Sequence, residues 1–200
     1  MNKLGSLIVI SGPSGTGKTT LARQACLHGQ RHFSISCTTR APRPGEIHGQ
    51  DYFFLSKTEF EDKIQANAMF EYAKVHDHYY GTLKSQVRTP IQQGIDVIMD
   101  IDVQGGAQVR NTKEDWVIAS HADLFVLPPS MAELENRLRS RGTDAEEIIL
   151  KRLHNAQMEI QQANLYQFIL HSTTREADQL TFQSFLTTLS LRTSLQPQSL

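Results

Sequence analysis

Cysteine is scarce: Cys26 and Cys37 are the two in 200 residues, and they form no CxxC pair. That argues against a disulfide framework and against a zinc site, and it suits a reducing cytosol. Long apolar runs are missing too. Leu7 to Ile10 and Leu124 to Leu127 fall far short of the roughly 20 residues of a membrane span. The segment ahead of Ser11-Gly12-Pro13 has one Lys and too few apolar residues for a signal peptide, so a cytoplasmic location is expected. No sign of charge dominates, with 20 Lys plus Arg against 21 Asp plus Glu and a net charge of −1. A broadly basic polyanion binder is excluded, although a local basic pocket is not. Neither nucleic acid nor membrane is expected as a partner, and no oligomeric state is implied.

What the chain does have is a repeated pattern of strands and helices. Leu7-Ile8-Val9-Ile10, Asp96 to Ile101, Leu124 to Leu127 and the shorter Phe168-Ile169-Leu170 read as strands buried on both faces, as in a parallel sheet. Helical patterns lie between them: Thr19 to His28, Phe60 to Ala66, Lys84 to Gln93, Leu134 to Arg141, and a longer one reaching about Asn164. Ser56–Glu59, Ser130–Glu133 and Thr143–Glu146 match capping boxes. The alternation implies α/β architecture. Phe33 to Tyr80 differs, being rich in Thr, Tyr, Phe, Gly and Pro, and reads as an inserted small β lobe. Arg192 to Leu200 reads as a loose tail.

Gly12-Pro13-Ser14-Gly15-Thr16-Gly17-Lys18-Thr19 matches G-x-x-x-x-G-K-[ST], follows a strand and opens a helix. Glycines let the backbone turn its N–H groups toward a polyphosphate, and the helix N-terminus adds positive potential. Lys18 can reach the β- and γ-phosphates, and Thr19 can offer its hydroxyl to Mg²⁺. A nucleoside triphosphate follows; the acceptor does not. Asp100 and Asp102 close the second strand, where ligands meet the carboxyl ends of parallel strands. Further on, Arg40 and Arg43 follow Ser36, Thr38 and Thr39 in a segment stiffened by Pro42 and Pro44, with Tyr52 and Tyr80 later in the chain. Arginine forks grip phosphate, yet taken alone this segment reads better as a solvated basic loop.

Taken together, these blocks resemble the guanylate kinase family, P-loop nucleoside monophosphate kinases. The matching blocks are Ser11 to Thr19, Thr38-Thr39-Arg40-x-Pro42-Arg43-x-Gly45-Glu46, Gly49-x-Asp51-Tyr52, Phe70-Glu71, Tyr79-Tyr80-Gly81-Thr82 and Asp100-Ile101-Asp102-x-Gln104-Gly105. Pro128-Pro129-Ser130, Arg137-Leu138-x-x-Arg141-Gly142 and Arg152-Leu153 complete them. The resemblance implies a three-layer core with a mainly parallel sheet (4–33, 84–127 and 158–189), a GMP-binding lobe (34–83) and a helical lid (128–157). Residues 190–200 would form the tail. It also implies transfer of the γ-phosphoryl group of ATP to GMP or dGMP, with Mg²⁺ as cofactor. Ser36, Glu71, Thr82 and Asp102 would hold guanine, Arg40, Arg43, Tyr52 and Tyr80 the GMP phosphate, and Glu46 would also belong to the GMP-binding set. Glu71 suits the base, because a carboxylate accepts both N1–H and N2–H₂ of guanine and adenine lacks that donor pair. Asp100 would order Mg²⁺ through water or bond the nucleotide. Lys18, Arg40, Arg43, Arg137, Arg141 and Arg152 would neutralise charge during transfer, while Arg139 reads as a surface ion pair.

Two other readings stay open. One is a domain of this kind that has lost catalysis and acts as a binding module, against which Lys18 and Thr19 are intact. The other is a kinase of the same fold with another acceptor, against which the four guanine positions stand together. The chain departs from the family at His171-Ser172, where Asn-Asp is usual near the adenine, so the adenine contacts carry over least. Cys26 and Trp116 are expected to pack, Cys37 could line the pocket, and His76-x-His78 lacks a third metal ligand.

Overall fold

The computed structural model describes residues 3–27, 31–75, 77–140 and 145–195. A central sheet joins β1 (Leu7–Ser11), β2 (Arg31–Phe33), β7 (Asp96–Asp100), β8 (His121–Leu127) and β9 (Phe168–His171) in the order β2-β7-β1-β8-β9. Every pairing in it is parallel. Side chains alternate across β1, as the period of two requires. Ile8 and Ile10 face one helical layer with Leu21, Ala22 and Phe182; Leu7 and Val9 face the other with Val87, Ile91 and Val109. The first layer is α1 (Lys18–Leu27) and α8 (Arg175–Leu189). The second is α3 (Lys84–Gln92), α4 (Val103–Arg110) and α5 (Asp115–Ser120). Both faces of the sheet are thus covered, which is why its strands read as unbroken apolar runs.

The stretch expected as a β lobe forms a second sheet. Its strands β3 (Cys37–Thr38), β4 (Phe53–Phe54), β5 (Met69–Val75) and β6 (His78–Leu83) run in the order β4-β3-β6-β5, with both pairings to β6 antiparallel. Helix α2 (Lys57–Gln65) closes it. Ser56 caps α2 with the reciprocal bonds of a capping box, and Phe60, fully buried, stacks on Tyr79 at 5.2 Å. Cys37 lies in this small core and not on a cleft wall. Helices α6 (Met131–Ser140) and α7 (Glu146–Ile160) pack through Leu134, Leu138, Ile149 and Ala156.

Several expectations need correcting. The box at Thr143–Glu146 does not open α7: its N-cap is Ala145, with no side-chain cap bond, and Thr143 lies outside the described residues. α7 ends at Ile160, and a separate 3-10 turn covers Ala163–Leu165. The segment read as a tail is docked as far as residue 195. Leu195 is buried, its carbonyl accepts from Leu4 N–H at 3.1 Å, and Arg192 donates to the His121 carbonyl at 2.6 Å. Trp116 packs as expected, against Phe70, and Cys26 lies against the first helical layer's core. Among the described residues no helix is long and apolar enough to cross a membrane.

Candidate functional site

The turn Gly12 to Gly17 leaves the carboxyl end of β1 and enters α1. Gly12 has φ 142°, and a Cβ there would sit 2.4 Å from the Val126 carbonyl oxygen, so only glycine fits between two strand ends. Lys18 folds back over the turn, its ammonium donating to the carbonyls of Gly12 at 2.6 Å and Pro13 at 2.8 Å. Thr16 is buried and donates to Pro13 through its hydroxyl. The Thr19 hydroxyl donates to the Asp100 carboxylate at the end of β7.

Between this turn and the second sheet lies a cleft of about 390 Å³. It gathers most of the residues singled out from sequence: Gly12, Ser14, Gly15, Gly17, Lys18 and Thr19 on one side, and Ser36, Arg43, Tyr52, Glu71 and Tyr80 on the other. Asp100 and Asp102 stand between them. Pro13 and Thr16 of the turn are not on its wall, and neither are three of the expected GMP-binding residues. Thr82 is fully buried behind Ser36, their hydroxyls 3.4 Å apart. Arg40 reaches Glu46 and the Ala41 carbonyl. Glu46 turns away from the cleft to accept from Arg40 and from Arg43 N–H. Burial opposes the charge on Glu46, but these bonds hold its carboxyl below the usual range.

Glu71 is 4% exposed, and one carboxylate oxygen, Oε1, is buried with no hydrogen-bond partner among the described residues. The other presses on α4, where a Cβ on Gly105 would come within 2.6 Å of it. Burial pushes the Glu71 carboxyl up to about 7; hydrogen bonds from Thr82 oppose this and the charge of Asp102 adds to it. Asp102 is itself the N-cap of α4, accepting from Gly105 N–H at 2.8 Å. Tyr52 meets Tyr80 edge-on at 6.0 Å. Its hydroxyl is pushed up to about 12, by burial first and by the charge of Asp100 next, so it stays a donor.

Sequence reasoning missed Glu159. It lies in the last turn of α7 on the same cleft wall. Burial raises its carboxyl to about 7, the charge of Lys18 opposing and that of Asp102 adding. No local motif marks it, since its neighbours across the cleft belong to distant elements.

A second cleft, about 380 Å³, shares Gly15, Gly17 and Thr20 with the first. Arg137 lines it while bonded to Glu133 at 2.8 Å. Arg152 lies on α7 and lines neither cleft. Arg141 lies outside the described residues. Arg139 pairs with Glu135 and Glu146, as its surface reading implied. His171 is exposed at the end of β9, and Ser172 and Thr173 line the second cleft instead. Both thiols are raised to about 11 by burial, which suits packing and not nucleophilic chemistry. His76 lies outside the described residues, among which no three His, Cys, Asp or Glu side chains cluster to hold a metal.

Comparison with known proteins agrees with this geometry. The family model described as guanylate kinase matches residues 5–188. The guanylate kinase of Clostridium tetani is 48% identical over 164 residues, covering 82% of this chain and 76% of its own. That of Cereibacter sphaeroides is 39% identical over 198 residues, covering 98% and 92%. The crystal structure of guanylate kinase from Anaplasma phagocytophilum superposes with a TM-score of 0.80 at 25% identity, covering 97% of this chain and 90% of that one. The match runs from the residue pair ahead of β1 into the last turn of α8 and spans both clefts, so the chain belongs to the guanylate kinase family.

Proposed function

We propose that this protein transfers the γ-phosphoryl group of ATP to GMP, and to dGMP, giving ADP and GDP or dGDP. The observation that carries the reading is Glu71: a buried carboxylate with an unpartnered oxygen, in the same cleft as the Lys18 ammonium. An unmet buried acceptor is costly. Guanine supplies adjacent N–H donors that satisfy it and favour its charged form, whereas adenine would leave it unmet. Ser36, with Thr82 behind it, and Asp102 complete the polar wall around the base.

Arg43 and the hydroxyls of Tyr52 and Tyr80 line the part of the cleft that would take the GMP phosphate. Arg40 supports them through Glu46. The acceptor needs no general base, because the second pKa of a phosphate monoester is about 6 and the group is largely dianionic near neutral pH. The obstacle is holding two polyanions in line, so the protein's work is positioning and charge neutralisation. Lys18 and the turn's N–H groups serve the ATP phosphates, and Arg137 on α6 and Arg152 on α7 belong to the helical lid over ATP. Closure of that lid excludes water and limits hydrolysis of ATP.

Thr19 and Asp100 offer two hard oxygen donors already in contact. That set fits Mg²⁺, which keeps several waters and shares phosphate oxygens instead of filling a protein cage. Thr19 would hold it directly and Asp100 through water. When bound, the ion neutralises charge developing on the β- and γ-phosphate oxygens.

A coupled ADP-release assay across GMP, dGMP, AMP, UMP, CMP and ribose phosphates tests this reading. GMP and dGMP should be the preferred acceptors. Preference for AMP or UMP would sink the guanine assignment, and no activity with any acceptor would leave a binding module.

A further inference from the structure

The second cleft holds a carboxylate that the reaction as described does not use. Asp178, in the first turn of α8, lines the cleft close to Thr173, Arg175 and Gln179, with Arg137 of α6 also on the wall. Its two oxygens are held separately. Oδ2 accepts from the Ser172 hydroxyl at 2.7 Å, and Oδ1 accepts from the Thr173 backbone N–H at 2.8 Å. Ser172 is 3% exposed, so this clamp is anchored in the interior. A carboxylate has about four acceptor sites, and the clamp occupies two of them while fixing the plane of the group. The next side chain points the same way chemically: the Gln179 Oε1 is buried and has no partner among the described residues. The cleft wall thus carries one acceptor without a partner among the described residues, Gln179 Oε1, and a carboxylate with acceptor capacity left, beside the guanidinium groups of Arg137 and Arg175. It also shares Gly15, Gly17 and Thr20 with the cleft that holds Lys18.

A nucleoside triphosphate with its phosphates on the turn has a purine edge to place. At C6, adenine presents an amino donor, whereas guanine and hypoxanthine present an oxygen acceptor. An acceptor-only group held rigidly accepts from the first and is left facing a lone pair by the others. Sites built on one required hydrogen bond reject analogues that cannot make it. We infer that Asp178, held by Ser172 and Thr173, is the specificity residue that selects a 6-amino purine triphosphate as phosphoryl donor. This rests on the reading of the protein as an ATP-dependent kinase of GMP, and it adds the group that chooses the donor.

The test measures donor kcat/KM at saturating GMP for ATP, purine riboside triphosphate and ITP, by chromatography of the nucleoside diphosphates. Direct binding of ATP and ITP is measured by calorimetry alongside. For the natural chain, ATP should exceed ITP by about 100-fold, with purine riboside triphosphate between them, as expected for one lost and one repulsive contact. Asp178→Ala should lower ATP use by about 10-fold or more and leave ITP nearly unchanged. Asp178→Asn keeps the shape and the bond from Thr173 but adds a donor, and it should narrow the ratio further by gaining ITP. KM for GMP, read in each variant, reports whether the rest of the fold is intact. A merely structural Asp178 predicts equal losses for all three donors, and an unchanged ATP-to-ITP ratio in both variants overturns the assignment. If calorimetry shows Asp178-dependent preference for ATP while GMP is never phosphorylated, the kinase reading fails and the base assignment stands.

Discussion

Arg40 and Glu46 hold each other in place: one guanidinium nitrogen of Arg40 reaches both Glu46 oxygens, at 2.8 and 2.9 Å. Glu46 also accepts from Arg43 N–H at 2.7 Å. The carboxylate expected among the GMP-binding residues therefore organises the cationic loop. This makes sense electrostatically, since a carboxylate facing a phosphate would repel it, while one behind two arginines orders them.

Glu46→Gln should raise KM for GMP by about 10-fold and change kcat less, because it weakens a charge-assisted bond that positions binding groups. Steady-state kinetics with GMP varied will read this. A kcat loss with KM unchanged would place Glu46 elsewhere.

The Glu71 carboxyl, raised to about 7 by its burial, sets a pH dependence. Guanine needs the ionised form, so kcat/KM for GMP should fall as pH drops through about 7. The phosphate of GMP contributes its own limb near pH 6. In Glu71→Gln the upper limb should vanish and the lower one remain, with kcat/KM down about 100-fold or more. The same raised value has a stability consequence. The folded free protein binds more protons than the unfolded chain between the ordinary carboxylate range and 7, so this group's contribution to stability declines as pH rises through that window and is flat above it. Thermal melts of the natural chain and Glu71→Gln across that range will show the difference.

Gly105 lies inside α4, where alanine would ordinarily stabilise a helix by about 1 kcal/mol. Here a Cβ would stand 2.6 Å from Glu71 Oε2. The carboxylate must move, so Gly105→Ala should raise KM for GMP by about 10-fold, since a 1 Å misplacement of a recognition group is costly. Tm should change by only a few degrees, because the displaced atom is a side-chain end. A Tm gain with unchanged KM would show that Glu71 accommodates the methyl.

Phe60→Ala removes a fully buried ring stacked on Tyr79. The cost should be about 3–5 kcal/mol. The small sheet carries Ser36, Tyr52, Glu71 and Tyr80, so GMP affinity should drop more than ATP affinity. Calorimetric titration with each nucleotide separates the two.

Much of this was legible in the amino-acid order, because it depends on near neighbours. The phosphate turn is one contiguous segment. The strand β1 and the box at Ser56–Glu59 follow from spacing alone. Other elements left little local trace. β2 is three half-buried residues at a sheet edge, and reads as apolar only at Phe33. α8 carries Leu180 exposed and Phe182 buried among Thr, Gln and Ser, so its buried face is thin in sequence. The docking of residues 190–195 depends on Leu4, Ala119 and His121, all far along the chain.

The order of residues thus determined the α/β architecture and the triphosphate turn, while the guanine-nucleotide residues were named only through the family resemblance. Periodicity, capping and turn chemistry act over a few positions and can be read from them. Tertiary structure alone decided the partnerships: Thr19 with Asp100 across 81 residues, Glu71 against Gly105, Glu159 beside Lys18 and Asp102, and the clamp that aims Asp178. These depend on which strands lie side by side and how helices pack upon them, so a charge or an unmet hydrogen bond acquires its role only when distant elements close around it.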